Sequence, residues 1–240
     1  MRIAILQTDH VLDEFQEQFG DYPAMFMDLL SGVRDDLEFV CIDVQTESPS
    51  QTDCDAYLIT GSRHSVYDEL PWIPALVDFL REVLAAKKKI LGVCFGHQLM
   101  AHFFGGEVKP ADAGWAVGVH CSDVDQQTWM VGAEKSVRLL SSHKDQVLRP
   151  PDGAQIYASN AFCPIAGFTM GNQVWTIQGH PEFLPDYAHS LMTFRRKILG
   201  EAVYAQGLAS LGEATDAALV AEWMMNFVAQ DSGATGGGAS

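Results

Sequence analysis

The chain has 240 residues, 48% of them hydrophobic, and carries a formal net charge of -16 at pH 7. This length suits a single α/β domain with a substantial core and requires no second domain. The strongly acidic balance is expected to repel nucleic acids and anionic lipids, so we predict no nucleic-acid partner.

Apolar segments in the first part of the chain predict strands at residues 2–7, 37–44 and 56–60. The third of these strands is followed directly by Gly61. A helix is predicted over residues 71–87, because a proline stands in its first turn and its apolar residues recur at helical spacing. These apolar residues are Ile73, Leu76, Val77, Leu80, Val83 and Leu84.

Cys94 stands where an apolar strand turns sharply into a helix. Residues 89–94 are typical of a buried parallel strand, and residues 98–104 favour a helix. Gly92 and Gly96 flank the cysteine in a Gly-x-Cys-x-Gly pattern, the thiol counterpart of the serine nucleophile elbow. Glycines allow the backbone to pass close to itself there, so we expect the thiol to project into solvent above the sheet.

The start of this helix suits nucleophilic chemistry at Cys94. The positive end of the helix dipole favours a thiolate, and the N–H of Phe95 is the natural donor to a developing oxyanion. The competing interpretation is a buried, inert cysteine, since free cysteines are commonly buried.

The rest of the chain is first rich in strands and then helical. Strands are predicted at residues 116–124, 136–140, 155–159 and 174–178, and helices at 185–199 and 213–229. We expect residues 1–230 to form one domain and residues 231–240, rich in Gly, Ala and Ser, to form a flexible tail.

His180 and Glu182 follow the last predicted strand. Pro181 keeps His180 extended, so the two side chains should share a face. The carboxylate can then orient the imidazole, which would accept the proton of Cys94 and deliver it to a leaving group. The alternative is a His-Pro turn with a solvated glutamate.

Strands and helices mostly alternate, which predicts an open, mostly parallel, doubly wound sheet with a small antiparallel extension. Ligands bind beyond the carboxyl ends of the strands in such sheets. Gly61, Cys94 and His180 each lie at or just after such an end. We therefore expect them to meet at one rim of the sheet.

Four segments together resemble the class I, or triad, glutamine amidotransferases. Residues 92–98 resemble the nucleophile motif of that family, and residues 180–182 resemble its His-x-Glu pair. Residues 58–62 and 141–147 resemble its oxyanion strand and the loop that holds the glutamine backbone. The resemblance covers residues 1 to about 195 and implies a flavodoxin-like fold.

The resemblance implies a Cys-His-Glu triad of Cys94, His180 and Glu182. Cys94 would attack the γ-carboxamide of glutamine, and the backbone N–H groups of Gly61 and Phe95 would hold the oxyanion. Ammonia would leave, and water would cleave the γ-glutamyl thioester to glutamate. The implied substrate is a small molecule.

The same resemblance assigns three further residues to the amino-acid end of the substrate. These are Gln98 on the first helical turn and the backbone of Ser142 and His143. Without the resemblance, Gln98 would be interpreted as an ordinary exposed glutamine, and Ser142 and His143 as part of a polar turn.

Details of the motifs are similar to free-standing guanylate-synthetase-like amidotransferases and to plant γ-glutamyl peptidases. Gly179 before the motif histidine carries this similarity together with residues 19–23 and 65–72. The oxyanion segment departs from the Gly-Gly-Pro of several biosynthetic members, because Gly61 is followed by Ser62 and Arg63. Three hypotheses stay open. The protein passes ammonia to a separate synthetase, acts alone on γ-glutamyl peptides or amides, or is a non-catalytic regulatory member.

The cysteines and the absence of recognisable targeting or cofactor motifs indicate which cofactors and which cellular location to expect. The five scattered cysteines have no C-x-x-C or metal-ligand spacing, which predicts a reducing cytoplasm and no metal. No signal peptide, membrane span or nucleotide motif is evident, so no membrane and no cofactor are expected. The basic clusters at residues 87–89 and 195–197 are interpreted as solvated faces.

Overall fold

A nine-stranded sheet runs through the computed structural model, which describes residues 1–50 and 53–230. In chain order, strands β1 to β11 are Arg2–Gln7, Glu38–Asp43, Ala56–Ile59, Lys89–Val93, Glu107–Pro110, Ala116–Val124, Ser136–His143, Asp145–Arg149, Gln155–Ser159, Gly167–Met170 and Val174–Ile177. The sheet order is β2-β1-β3-β4-β11-β10-β9-β6-β7, and β5 pairs with β8 in a two-stranded ladder.

The half of the sheet from β2 to β11 is parallel, and the half from β11 to β7 is antiparallel. The predicted α/β class with a mostly parallel sheet is therefore confirmed. The antiparallel extension has four strands and continues the same sheet. Its strand β7 lies beside the loop after β11. Leu140 of β7 forms an isolated β-bridge with His180 of this loop.

Eight helices are present in the described residues. Helices α1 to α8 are Asp13–Phe19, Tyr22–Ser31, Trp72–Ala85, Phe95–Phe103, Pro185–Phe194, Arg196–Leu199, Glu201–Ser210 and Ala217–Ala229. One core cluster joins α2 and α8 to a face of the parallel strands, and another joins α3 and α4 to the opposite face. The expected helices on both faces of a doubly wound sheet are thus present.

Several boundaries differ from the sequence prediction. The predicted helix over residues 185–199 is interrupted at Arg195 and forms α5 and α6, and the last helix begins at Ala217 instead of residue 213. Helices α1, α2 and α7 were not predicted. Helix α1 buries none of its residues and α7 buries only Tyr204 and Gly207, so neither has the apolar stripe that identifies a helix.

The interpretation of residues 87–89 as a solvated face is wrong for Lys89. Lys89 is buried, its Nζ donates to the Asn172 carbonyl at 2.6 Å, and it lies 5.1 Å from the centre of the Phe227 ring. It begins β4, so it faces the core instead of ending a helix. The predicted tail at residues 231–240 lies outside the described residues. Within residues 1–50 and 53–230, every helix is too short or too polar to cross a bilayer.

Candidate active site

Cys94 lies between the end of β4 and the first residue of α4, as the glycine pattern predicts. Its φ of 51° falls in the left-handed region, which non-glycine residues rarely adopt. The Cys94 N–H donates to the Ile177 carbonyl at 2.9 Å, and the Cys94 carbonyl accepts from Gln98 N–H at 3.0 Å. A strained backbone held from both sides is typical of a nucleophile elbow.

The two flanking glycines are required by close approaches of the backbone. A Cβ at Gly92 would lie 2.7 Å from the carbonyl carbon and oxygen of Gly96. A Cβ at Gly96 would lie 2.7 Å from the carbonyl oxygen of Ile59, in β3. The turn can therefore close on itself only where Gly92 lacks a side chain, and it can pack against β3 only where Gly96 lacks one.

His180 and Glu182 form a buried pair after β11. Nδ1 of His180 donates to Oε1 of Glu182 at 2.8 Å, and both residues are buried. The imidazole stacks on the Phe183 ring at 3.8 Å between centres. The His180 N–H donates to the Leu140 carbonyl at 2.8 Å, so β7 also fixes its backbone. Nδ1 is held by the carboxylate, so Nε2 is the ring nitrogen that this contact leaves open.

Gly61 lies close to both His180 and Cys94. A Cβ at Gly61 would lie 2.8 Å from Cε1 of His180 and 3.6 Å from Cβ of Cys94. Three segments that are distant in the chain therefore meet at the carboxyl ends of β3, β4 and β11. This is the rim at which the sequence predicted them to meet.

The proton affinity of His180 is set by burial and by its neighbours Glu182 and Cys94. Burial opposes its protonation, but the interactions with Glu182 and Cys94 outweigh burial and raise the pKa of His180 to about 10. At neutral pH the imidazole therefore carries a proton beside the sulfur. This arrangement suits a thiolate–imidazolium pair.

Cys94 opens into a cavity of about 190 Å³. The residue is only 4% exposed, so the expectation of a thiol projecting into solvent is wrong, since the sulfur lies at the floor of a cleft. The cavity is lined by Ser62, Arg63, His64, Ser65, Cys94, Gln98, Trp115, Ser142, His143, Lys144, Asp145 and Arg195.

The structure places Gln98, Ser142 and His143 around this same cavity. Nε2 of Gln98 donates to the Asp145 carbonyl at 2.9 Å and to Oε1 of Gln178 at 3.1 Å, so it is engaged within the protein. Nδ1 of His143 donates to the Asp145 carbonyl at 3.1 Å, and burial lowers the pKa of His143 to about 3. His143 is therefore neutral at pH 7.

The segment over residues 141–147, expected to be a loop, is a tight strand connection. Strand β7 continues to His143 and β8 begins at Asp145, which leaves only Lys144 between them. Strand geometry fixes the backbone of Ser142 and His143 at the wall of the cleft.

Arg195 is a residue of the cleft that sequence reasoning missed. Its Nη1 donates to Oγ of Ser142 at 2.9 Å, and its guanidinium lies 5.7 Å from the centre of the Trp115 ring. The interpretation of residues 195–197 as a solvated face is therefore wrong at Arg195. Arg195 lies at the break between α5 and α6, and the sequence, which predicts an uninterrupted helix there, gave no signal for its contacts.

Asp9 and Arg63 were also missed, although the strand-end argument applies to them. Asp9 follows β1 and Arg63 follows β3, and Oδ2 of Asp9 lies 2.8 Å from Nε of Arg63. In residues 1–50 and 53–230, no group of three or more His, Cys, Asp or Glu side chains is arranged to hold a metal ion.

Comparison with known proteins agrees with this geometry. The family model described as glutamine amidotransferase class-I matches residues 28–198. A Saccharomyces cerevisiae protein named "Putative glutamine amidotransferase" is 34% identical over 203 residues, which are 78% of this chain and 80% of the relative. Gamma-glutamyl peptidase 2 of Arabidopsis thaliana is 27% identical over 215 residues, 84% of this chain and 86% of the relative.

A solved structure agrees on the fold. The crystal structure of a glutamine amidotransferase from Thermotoga maritima superposes with a TM-score of 0.76, at 17% identity, over 95% of this chain and 99% of that one. At this identity the likeness concerns the architecture. The family match, which spans most of the chain, carries the conclusion that this protein belongs to the class I glutamine amidotransferase family.

Proposed function

We propose that this protein hydrolyses the amide bond of a γ-glutamyl compound through a thioester on Cys94. The observation that carries the proposal is the meeting of Gly61, Cys94 and His180 at one point, with His180 bonded to Glu182. A nucleophile, a base and a group that orients the base are the minimum set for acyl transfer by a thiol.

The steps follow from the positions of these groups. The sulfur of Cys94 attacks the γ-carbonyl carbon, and the N–H groups of Gly61 and Phe95 hold the oxyanion. The C–N bond breaks as His180 gives its proton to the departing nitrogen. Water then attacks the thioester, with His180 accepting its proton, and glutamate leaves as Cys94 regains its charge.

Glu182 acts through His180 and does not touch the substrate. Its carboxylate fixes the tautomer and stabilises the imidazolium. Gln98 and the backbone of Ser142 and His143 are proposed to hold the amino-acid end of the substrate, since they form the wall of the cavity beside Cys94. Residues 1–230 are proposed to act as one domain.

Two substrates fit this chemistry. Glutamine is favoured by the family, and its ammonia would pass to a separate synthetase. A γ-glutamyl peptide is favoured by the similarity to gamma-glutamyl peptidase 2 and needs no partner. All five cysteines are free thiols, which supports a reducing compartment such as the cytoplasm.

Release of glutamate by the purified chain tests the proposal. We expect turnover of glutamine or of a γ-glutamyl peptide, and a loss of about a thousandfold or more in Cys94→Ala. Cys121→Ala, at an exposed cysteine on β6, is the matched control and should keep full activity. Equal rates in Cys94→Ala and the parent would refute the mechanism, and peptide turnover without glutamine turnover would refute the ammonia-donating role.

A further inference from the structure

A second cavity, of about 310 Å³, adjoins the cleft that contains Cys94. The side chains of Arg63, Trp115 and Arg195 line both spaces. These three residues therefore stand where the two cavities meet.

The second cavity has an apolar part beside the polar side chains of Asp9, His10, Arg63 and Arg195. We call Leu12, Trp115, Phe194 and Ile198 the apolar shelf, since all four line this cavity. Phe194 is 56% exposed and Ile198 is 68% exposed. Exposed apolar surface at the mouth of a pocket commonly marks a ligand contact.

Two residues of the apolar shelf, Phe194 and Trp115, are held by contacts with neighbouring side chains. Phe194 meets the Phe15 ring edge-on at 6.2 Å between centres, which ties α5 to α1. The Arg195 guanidinium lies against the Trp115 ring at 5.7 Å. The shelf is therefore a preformed surface, held between α1, α5 and the start of β6.

The position of His180 indicates which end of a substrate reaches the shelf. His180 must hand its proton to the departing nitrogen, so the leaving group lies on the imidazole side of the sulfur. The imidazole stacks on Phe183, whose ring contacts Tyr22 and Tyr187 at 6.2 and 4.8 Å between centres. Tyr22 and Tyr187 line the second cavity, so this cavity lies on the same side of the cleft as the His180–Phe183 stack.

We propose that the apolar shelf binds an aromatic or branched aliphatic group on the leaving amine of a γ-glutamyl amide. This inference rests on the proposed function and narrows its substrate class. Ammonia, the leaving group of glutamine, is too small to use a surface of this size. The shelf therefore favours γ-glutamyl compounds with a bulky apolar leaving group over glutamine itself.

Two dipeptides that differ only in one benzyl group test the proposal. We expect kcat/KM for γ-glutamylphenylalanine to exceed that for γ-glutamylglycine by about tenfold, or about 1.4 kcal/mol, mainly through KM. In Phe194→Ala and in Ile198→Ala the ratio of the two values should fall to between about one and three. Leu148→Ala, at an exposed leucine on β8, should keep the parent ratio.

The remaining outcomes distinguish a failure of the shelf proposal from a failure of the proposed function. Hydrolysis that depends on Cys94 but treats both dipeptides alike would overturn the shelf and leave the proposed function standing. Glutamate release that persists in Cys94→Ala, or none from any γ-glutamyl compound, would overturn both. A shelf variant that keeps its melting temperature and the ratio but changes the oligomeric state would identify the shelf as a contact between copies, against the proposal.

Discussion

The carboxylate of Asp9 holds Arg63 at two points, accepting from its backbone N–H at 2.7 Å and from its Nε at 2.8 Å. Asp9 is buried, and Arg63 stands two residues after Gly61. Two further hydrogen bonds join the same segments, from Oγ1 of Thr8 to the Gly61 carbonyl at 3.0 Å and from Oγ of Ser62 to the Thr8 carbonyl at 3.2 Å. The end of β1 therefore fixes the loop that carries the proposed oxyanion donor.

Loss of this anchor should lower activity more than it lowers stability. Asp9→Ala leaves the loop free to move by a fraction of an ångström, and we expect kcat to fall by about tenfold or more, since small misplacements at a reacting centre are costly. Glutamate release by the purified variant is the measurement. Asp36→Ala removes an exposed aspartate that pairs with Arg34 and should leave kcat unchanged. Full activity in Asp9→Ala would show that the loop needs no anchor.

The pH profile should report the charge of Glu182. The Glu182 carboxylate helps to raise the pKa of His180 to about 10, so the imidazole should keep the proton for the leaving amine until the pH approaches that value. In Glu182→Gln the charge is lost and the pKa of His180 should fall. We expect kcat to drop by about a hundredfold and the alkaline limb of kcat/KM to move to lower pH.

The exposed glutamate Glu69 supplies the control for that profile. Glu69→Gln removes the same charge from the chain but lies outside the triad, and its pH profile should overlay that of the parent. An alkaline limb that does not move in Glu182→Gln would mean that Glu182 does not act through His180.

A methyl group at Gly61 should act on the imidazole directly. A Cβ there would lie 2.8 Å from Cε1 of His180, closer than van der Waals contact, so the ring must shift away from Gly61 and leave its position beside Cys94. We expect Gly61→Ala to lose about a hundredfold in kcat while the chain stays folded. A kcat close to that of the parent would show that the His180 ring can accommodate the methyl group without loss of function, against this prediction.

Gly92 should matter for stability. A Cβ there would lie 2.7 Å from main-chain atoms of Gly96, which cannot rotate away, and we expect Gly92→Ala to lower the free energy of unfolding by about 1–3 kcal/mol. Gly212 is the matched control, because a Cβ there would meet nothing within 4 Å. Urea unfolding of both variants is the measurement. If Gly92→Ala and Gly212→Ala lowered the free energy of unfolding equally, the close contact at Gly92 would not be the cause.

Much of the parallel sheet was predictable, because its strands are continuous apolar runs whose ends are marked by glycine or by polar residues. Among the parallel strands β1 has the predicted bounds, and the rim that holds Gly61, Cys94 and His180 follows from strand ends alone. Strands β6 and β9 of the antiparallel half also have the predicted bounds. Helices α1 and α7 were not predictable in this way, since their sequences show no buried stripe. Their positions are set by tertiary contacts.

The site was less predictable where a side chain enters the cleft from outside the rim. Arg195, whose Nη1 donates to Oγ of Ser142, lies at the break after α5, and periodicity does not reveal this break. Asp9 is different, since it follows β1 and the strand-end argument extends to it. A strand-end acid paired with a strand-end arginine is a signal that the sequence contains.

The most direct test of the account is covalent labelling with a diazoketone analogue of glutamine, followed by peptide mass analysis. We expect one γ-glutamyl-like adduct, at Cys94, which glutamine or a γ-glutamyl peptide slows and which Cys94→Ala abolishes. Labelling of Cys41 or Cys121 instead, or labelling of Cys94 that no γ-glutamyl compound slows, would contradict the claim that Cys94 is the nucleophile of a γ-glutamyl site.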